Sequence, residues 1–233
     1  NTSVVYGDHL ILKLFRRLQP GENPDVEIGR FLTEVAHFQY IPPFMGEIAV
    51  AQRDGKKTTM AMLQGLVVNE GDGWKWFLGQ LAEFFSAVAS LPAPPEVRAP
   101  SFGEVSELPR EICKHAAASL EAAALLGCRT GQMHLALATP TDDPAFAAEP
   151  FTAEDLARDA HRIEVQIVSA LEALKLKFAT LEDPITDRAA LLLSQRVELL
   201  GRARAITSVE ATGQRIRIHG DYHLGQTLRT RGL

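Results

Sequence analysis

The sequence contains only two cysteines in 233 residues, Cys113 and Cys128. Two cysteines cannot build a disulfide framework for a chain of this size, so we expect buried thiols in a protein of the reducing cytoplasm. The sequence also lacks an apolar run near the roughly 20 residues that a membrane helix needs. Its formal net charge is −5. The late arginines Arg202, Arg204, Arg215 and Arg217 are interpreted as charges at helix ends and on strand faces. Neither a membrane nor a nucleic acid is therefore an expected partner.

The composition is that of a folded protein, with 46% hydrophobic residues. Alternating apolar residues in the N-terminal part predict strands. These occupy 2–15 (a hairpin turning at Gly7 and Asp8), 46–52 and 58–68, with a turn at 53–56. Between them, Asn23 as N-cap and Pro24 after it predict the start of a helix. The apolar stripe of that helix is formed by Ile28, Phe31, Leu32 and Val35.

After Asn69 the pattern of apolar residues becomes helical. It predicts helices at about 74–91, 105–137, 152–180 and 184–209, with proline-rich linkers at 92–100 and 139–150. The last segment returns to the alternation of a strand at 215–219 and again at 227–229. We therefore predict an α+β fold in two parts, a small β-rich lobe over 1–68 and a large, mostly helical lobe over 69–233.

The strongest indication of chemistry is the string HGDYHLGQ at 219–226. Asp221 precedes Gln226 by five residues, which is the spacing between the catalytic aspartate and the metal-binding amide of a kinase catalytic loop. In such a loop the carboxylate accepts a proton from the attacking hydroxyl or orients it, while the amide oxygen reaches the Mg²⁺ on the nucleotide phosphates. The string therefore predicts phosphoryl transfer.

Two other interpretations of the same string stay open. His219, Asp221 and His223 alternate, and imidazole and carboxylate groups suit zinc or iron, which would give a zinc hydrolase. No further ligands are evident in the sequence for such a site. Alternatively, the string is a turn that contains a core histidine. Even in a kinase, we expect His219 to brace the loop through backbone hydrogen bonds.

A single charge, Lys13, interrupts the apolar strand HLILKLF. A half-buried lysine is disfavoured unless it is paired, so Lys13 either faces solvent on an edge strand or has an anionic partner. In a kinase, that partner is the pair of α- and β-phosphates of the nucleotide together with a helix carboxylate. Glu27 is the candidate for this carboxylate, although it is also consistent with a solvated charge on the helix face.

Three segments resemble one family of proteins, namely NTSVVYGDHLILKLFRRLQPGENPDVEIGRFL, LLGCRTGQMHLALA and HGDYHLGQ. The third resembles the HGDxHxxN loop of small-molecule kinases. With glutamine in its last position, it is similar to the bacterial maltokinases of the aminoglycoside/choline-kinase-like superfamily. The resemblance implies a protein-kinase-like bilobal fold, the use of ATP and Mg²⁺, and phosphorylation of maltose at its anomeric hydroxyl to give maltose 1-phosphate.

The resemblance also assigns roles to individual residues. On the side of the sugar, it implies Asp221 as the base, His223 as a substrate contact and Gln226 as a Mg²⁺ ligand. The nucleotide-binding residues that it implies are Lys13 as phosphate clamp, Glu27 as its brace, and Gln64 and Val67 at the hinge. At the hinge, backbone groups are expected to bind adenine.

Members of this family extend beyond both ends of the chain, with strands that cover the phosphates and a later aspartate that binds Mg²⁺. We therefore expect residues 1–233 alone to be inactive. A trehalose synthase domain in the same chain or complex is a further expected partner. Two rival functions on the same fold stay open, a kinase of an amino sugar such as glucosamine and a nucleotide-binding pseudokinase.

Overall fold

The chain begins with a four-stranded antiparallel sheet. The computed structural model describes residues 1–51, 57–92 and 108–230. The strands are β1 (Thr2–Tyr6), β2 (Leu10–Leu14), β3 (Phe44–Ala51) and β4 (Lys57–Gly65), in the order β1-β2-β4-β3. The predicted strands are thus confirmed, whereas the turn predicted at 53–56 lies outside the described residues. The turn after β1 begins at Gly7, whose φ of 56° is the left-handed conformation that glycine adopts without steric cost.

The predicted helix packs against this sheet. α1 (Pro24–Arg30) begins where expected, since the Asn23 side chain accepts a hydrogen bond from the Asp25 N–H at 2.9 Å. A π-helical turn (Phe31–Val35) continues the helix. A π turn contains one residue more than an α turn and shifts the following side chains around the axis. This is why Val35 is 45% exposed while the rest of the predicted stripe is buried.

Two hydrophobic clusters surround α1. One cluster connects the helix to the sheet and consists of Phe15, Val26 and Met62, with Phe44 packed against them. The other connects the helix to later parts of the chain and consists of Ile28, Phe31, Leu32, Met133, Leu137 and Phe146. In the second cluster the rings of Phe31 and Phe146 stack with their centroids 3.9 Å apart and their planes 1° from parallel. These clusters fix the position of α1.

Three helices follow the sheet. α2 (Gly73–Val88) is capped by Asp72, whose carboxylate accepts a hydrogen bond from a backbone N–H in the first turn at 2.9 Å. The helix predicted at 105–137 is instead two helices, α3 (Arg110–His115) and α4 (Ala117–Leu137). Ala116 separates them because its φ of −114° and ψ of 14° lie outside helical geometry. The start of that prediction and most of the linker before it lie outside the described residues.

The prediction of buried thiols is wrong. Cys113 and Cys128 are both exposed. The alanine-rich sequence around them has no pronounced apolar face, so it gave no signal for which side of the helix would be covered. None of the helices in the described parts of the chain combines the length and the hydrophobicity of a membrane span.

Residues 147–216 form a compact unit, and residues 1–146 with 217–233 form another. The first of these units contains β5 (Glu149–Pro150), α5 (Ala153–Lys177), α6 (Asp183–Ser194), α7 (Arg196–Ala205) and β6 (Gln214–Arg215). α5 begins at the predicted cap, Thr152. The helix predicted at 184–209 is divided into α6 and α7 at Gln195, and the strand predicted at 215–219 is reduced to the short β6, which pairs with β5. The predicted lobes 1–68 and 69–233 stay a prediction.

Candidate active site

The string HGDYHLGQ forms an exposed loop. Gly220 has a φ of 83°, which lies in the left-handed region and allows the chain to turn directly after His219. The Asp221 side chain is 80% exposed. One of its carboxylate oxygens lies 3.5 Å from the Gln226 Nε2, and the other lies 4.0 Å from the His223 Nε2. The loop therefore brings Asp221, His223 and Gln226 together.

Both imidazoles of the loop accept hydrogen bonds from its backbone. The His219 Nδ1 accepts from the Asp221 N–H at 3.3 Å, as the expected bracing role requires, and the His223 Nδ1 accepts from the Gly225 N–H at 3.1 Å. A neutral imidazole with an accepting Nδ1 carries its proton on Nε2. The His223 Nε2 is then a donor on the same surface as the Asp221 carboxylate.

Two helices hold the backbone of this loop. The Tyr222 hydroxyl lies 3.2 Å from the hydroxyl of Thr130 on α4. At the start of α2, the Gly73 N–H donates to the Thr227 carbonyl at 3.0 Å, and a β-carbon on Gly73 would lie 2.3 Å from the Thr227 Oγ1 and 3.1 Å from the Leu224 carbonyl oxygen. Only glycine fits at this contact. Neither contact is predictable from the sequence pattern, because the partners are far apart along the chain.

Glu27 is paired with an arginine that the sequence analysis treated as a strand-face charge. The Arg217 Nη2 lies 2.5 Å from the Glu27 Oε2. The structure therefore does not pair Glu27 with Lys13, and Lys13 has no ion pair with any of the residues that the structure describes. Arg217 lies close to α1, since its guanidinium is 6.0 Å from the ring of Phe146, which belongs to the same cluster as Ile28 of α1. The predicted brace between Glu27 and Lys13 stays a prediction.

Lys13 lies on an interior strand, since β2 is between β1 and β4. The alternative of a solvent-facing position on an edge strand is therefore wrong. Lys13 is the cross-strand partner of Met62, and directly paired residues project from the same face of a sheet. Met62 packs against Val26 of α1. Lys13 is thus half-buried on the face of the sheet that α1 covers.

The two residues predicted at the hinge lie at the end of the sheet. Gln64 is the second-to-last residue of β4 and pairs with Ile11 and Phe44 on the two neighbouring strands. Val67 follows the strand, and its carbonyl accepts a hydrogen bond from the Asn69 side chain at 2.8 Å. Both positions belong to the connection between the sheet and α2. Their contacts to adenine stay predictions.

The metal alternatives differ in how well the described residues fit them. Within residues 1–51, 57–92 and 108–230, no three His, Cys, Asp or Glu side chains come together in a way that could hold a metal ion. The zinc interpretation of His219, Asp221 and His223 therefore lacks its ligand set. Mg²⁺ requires fewer protein ligands, usually one or two oxygens that complete a set of phosphates and waters. The Gln226 amide lies beside the Asp221 carboxylate with its Nε2 3.5 Å from a carboxylate oxygen, and its own oxygen is a ligand of the kind that Mg²⁺ prefers.

An open depression with a volume of about 410 Å³ adjoins the loop. It is lined by Asp72, Trp74, Lys75, His223 and Gly225. The hydrogen bond from the Lys75 backbone N–H, together with the nearby ammonium, holds the pKa of the Asp72 carboxyl below its ordinary value. The Trp74 residue is 56% exposed. The depression therefore combines charged and polar side chains with a partly exposed tryptophan beside the loop.

No family model matches the chain. Among the solved structures that resemble it are a glucosamine kinase in complex with glucosamine, ADP and inorganic phosphate, with a TM-score of 0.61 and 23% identity, and crystal form B of a glucosamine kinase, with a TM-score of 0.63 and 22% identity. The matches cover 99% of this chain but only 45% and 46% of those chains. The chain thus spans less than half the length of these structures. At this identity the likeness shows the fold, and it confirms the predicted α+β, protein-kinase-like class.

Proposed function

We propose that the protein carrying this chain is an ATP-dependent sugar kinase. The observation that supports the proposal most directly is the loop at 219–226, in which an exposed carboxylate and an amide stand side by side on a backbone that two helices hold. A catalytic site requires reactive side chains on a rigid support. The kinase-like fold also supports this interpretation of the spacing between Asp221 and Gln226.

In the proposed reaction, Asp221 accepts the proton of the attacking sugar hydroxyl. The hydroxyl oxygen forms a bond to the γ-phosphorus as the bond between that phosphorus and the β–γ bridging oxygen breaks, and ADP leaves. The carboxylate of Asp221 has no arginine or lysine partner among the described residues, so its oxygens are accessible to a substrate hydroxyl. The His223 Nε2–H is proposed to donate a hydrogen bond to another oxygen of the sugar.

Lys13 and Gln226 are proposed to act on the nucleotide. Lys13 is half-buried and has no counter-ion among the described residues, and an anionic phosphate would compensate its charge. Gln226 is proposed to hold Mg²⁺ together with groups of the nucleotide. When bound, the metal neutralises charge that develops on the phosphate oxygens. Gln64 and Val67 are proposed to line the adenine site.

Maltose, phosphorylated at its anomeric hydroxyl, is the acceptor that we propose, because HGDYHLGQ resembles the maltokinase loop. A trehalose synthase domain in the same chain or complex is part of that hypothesis. A second candidate is an amino sugar, since the two similar structures are glucosamine kinases. A third is a pseudokinase that binds the nucleotide without turnover.

A sugar panel with a coupled assay for ADP release separates these candidates. Because the chain spans less than half the length of the similar structures, the assay compares residues 1–233 with the full-length natural protein in which they occur. Release that depends on maltose supports the first candidate, and release that depends on glucosamine supports the second. Binding of ATP without release for any sugar would identify a pseudokinase, and the absence of both binding and release would overturn the proposal.

A further inference from the structure

The ion pair between Glu27 and Arg217 joins two parts of one unit that are 190 residues apart along the chain. Glu27 lies in the first turn of α1, and Arg217 lies two residues before the loop at 219–226. The two side chains are only 24% and 34% exposed, respectively. A partly buried pair is screened less by water than a surface pair, and loss of one partner leaves the other charge uncompensated.

A second contact of Arg217 involves the core beneath it. The centre of its guanidinium lies 6.0 Å from the centroid of the Phe146 ring, which is within the range of a cation–π interaction. Phe146 is 2% exposed and stacks on Phe31, which directly follows α1. The guanidinium of Arg217 therefore has two contacts. It pairs with Glu27 of α1, and it lies over the Phe146 ring, which stacks on Phe31 directly after α1. Its position is fixed relative to α1.

Arg217 is close enough along the chain to influence the position of the loop at 219–226. Only Ile218 separates Arg217 from His219, and the His219 imidazole accepts a hydrogen bond from the Asp221 N–H. Arg217 and His219 are half-buried, whereas Ile218 is 59% exposed. The segment thus has one inward side, which contains the arginine and the bracing histidine. A shift of Arg217 would move the backbone at Asp221.

We propose that Arg217 is a positioning residue that fixes the loop at 219–226 to α1 through Glu27, so that the Asp221 carboxylate stands at the correct place for the acceptor hydroxyl. The catalytic part of this inference rests on the proposed kinase function. It gives Glu27 a role different from the predicted brace of Lys13. The two roles lead to different kinetics, because one acts on the acceptor side and the other acts on the nucleotide.

The test uses Glu27→Gln, Arg217→Gln, their double variant, Arg217→Lys and Lys13→Ala in the full-length protein. Each of the first two is expected to lower kcat about tenfold, because small misplacements of reacting groups are costly, while the KM for ATP stays unchanged. The double variant should be no worse than either single variant, whereas each single variant should combine additively with Lys13→Ala. Arg217→Lys should recover part of kcat, since it retains the charge. Arg162→Gln, which removes the exposed pair with Asp159, is the matched control and should leave both constants unchanged.

Amide hydrogen exchange in the loop provides a readout that does not depend on turnover. The N–H groups of Gly225 and Gln226 are hydrogen-bonded within the loop, at 3.1 and 2.8 Å. Their exchange should accelerate equally in Glu27→Gln and Arg217→Gln and not in Lys13→Ala or Arg162→Gln. Unchanged exchange in both variants would overturn the inference even if the protein were not a kinase. A rise in the KM for ATP with Glu27→Gln, together with wild-type behaviour of Arg217→Gln, would overturn it in favour of the brace.

Discussion

Two aspartates of this protein, Asp155 and Asp221, have the same side chain and opposite surroundings. Asp155 lies in the first turn of α5 with its side chain 6% exposed. Its carboxylate accepts hydrogen bonds from the N–H and the hydroxyl of Thr152, both at 2.9 Å, and from two arginine side chains. The Asp221 side chain is 80% exposed, and within the described residues its carboxylate has a hydrogen bond only from the Gln226 amide, at 3.5 Å.

This difference in exposure and hydrogen bonding distinguishes a structural carboxylate, Asp155, from one that is available to a substrate, Asp221. Asp155 already accepts from four donor groups, so a ligand could reach it only by displacing one of them. Such a group stabilises the capping box of α5. Asp221 has accepting capacity that the described residues do not use, in a loop that is nevertheless held in place. A carboxylate of this kind can receive a substrate hydroxyl.

The largest effect is expected when the available carboxylate is neutralised. Asp221→Asn should lower kcat of the full-length protein about 10²- to 10⁴-fold, the usual contribution of a general base, with ATP affinity and the unfolding midpoint unchanged. Asp155→Asn is the matched control, and it should lower the midpoint while the folded fraction keeps its turnover. The measurement combines steady-state kinetics with urea unfolding. Near wild-type turnover in Asp221→Asn would remove Asp221 from the role of base.

The comparison extends to two cations. Within the described residues, Lys13 forms no ion pair, whereas Arg215 forms two. Arg215 contacts both Asp155, at 2.8 Å, and Glu149. Lys13→Ala should raise the KM for ATP and lower kcat/KM about 10- to 100-fold, since a charged hydrogen bond contributes about 1.5–3 kcal/mol. Arg215→Ala should instead lower the unfolding midpoint without a change in ATP kinetics. If both variants had the same effect on ATP, the assignment of Lys13 to the phosphates would be wrong.

A smaller effect is expected from the contact that holds the backbone of the loop. Gly73→Ala places a β-carbon 2.3 Å from the Thr227 Oγ1, so the loop or α2 must shift, at a cost of about 1–3 kcal/mol in the free energy of unfolding. Gly79→Ala, on the same helix, meets nothing within 4 Å and should stabilise the protein by up to about 1 kcal/mol. Urea unfolding measures both changes. Equal effects of the two substitutions would mean that the contact at Gly73 does not hold the loop.

Local signals in the sequence were sufficient for much of the fold. The Asn23-Pro24 start of α1 and the Thr152 cap of α5 depend on neighbours within three residues, and both were predicted. The hairpins were predicted for the same reason, because strand alternation is a local property. The breaks at Ala116 and Gln195 were not, since neither residue is a glycine or a proline and both lie within continuous helical patterns.

In the candidate site, too, residues with local signals were predicted and residues with long-range contacts were not. Asp221 and Gln226 were found because their spacing lies within one loop. Arg217 was treated as a surface charge, since its partner Glu27 is 190 residues away and no pattern connects them. The exposure of the two cysteines was also missed, because an alanine-rich helix gives no strong indication of its buried face. What the sequence does not contain is the set of long-range contacts that decides which polar groups are already satisfied.

The smallest expected effect concerns the acid stability of the unit at 147–216. The hydrogen bond from the Thr152 backbone N–H, followed by that from the Thr152 hydroxyl and by Arg158 and Arg215, holds the pKa of the Asp155 carboxyl below its ordinary value. The unfolded chain therefore takes up the proton at a higher pH than the folded chain does, near the ordinary pKa of about 3.9. The stabilisation is fully present above that pH and is lost as the pH falls through the lower pKa of the folded state.

The difference in unfolding midpoint between wild type and Asp155→Asn should be constant near neutral pH and shrink in acid below about pH 4. Thr152→Ala removes the hydroxyl donor and leaves the backbone N–H and the two arginines, so it should retain part of the pH dependence. Midpoints measured by urea unfolding across this range decide the matter, and a difference that stays constant into the acid range would show that the bonds to Asp155 do not depend on its charge.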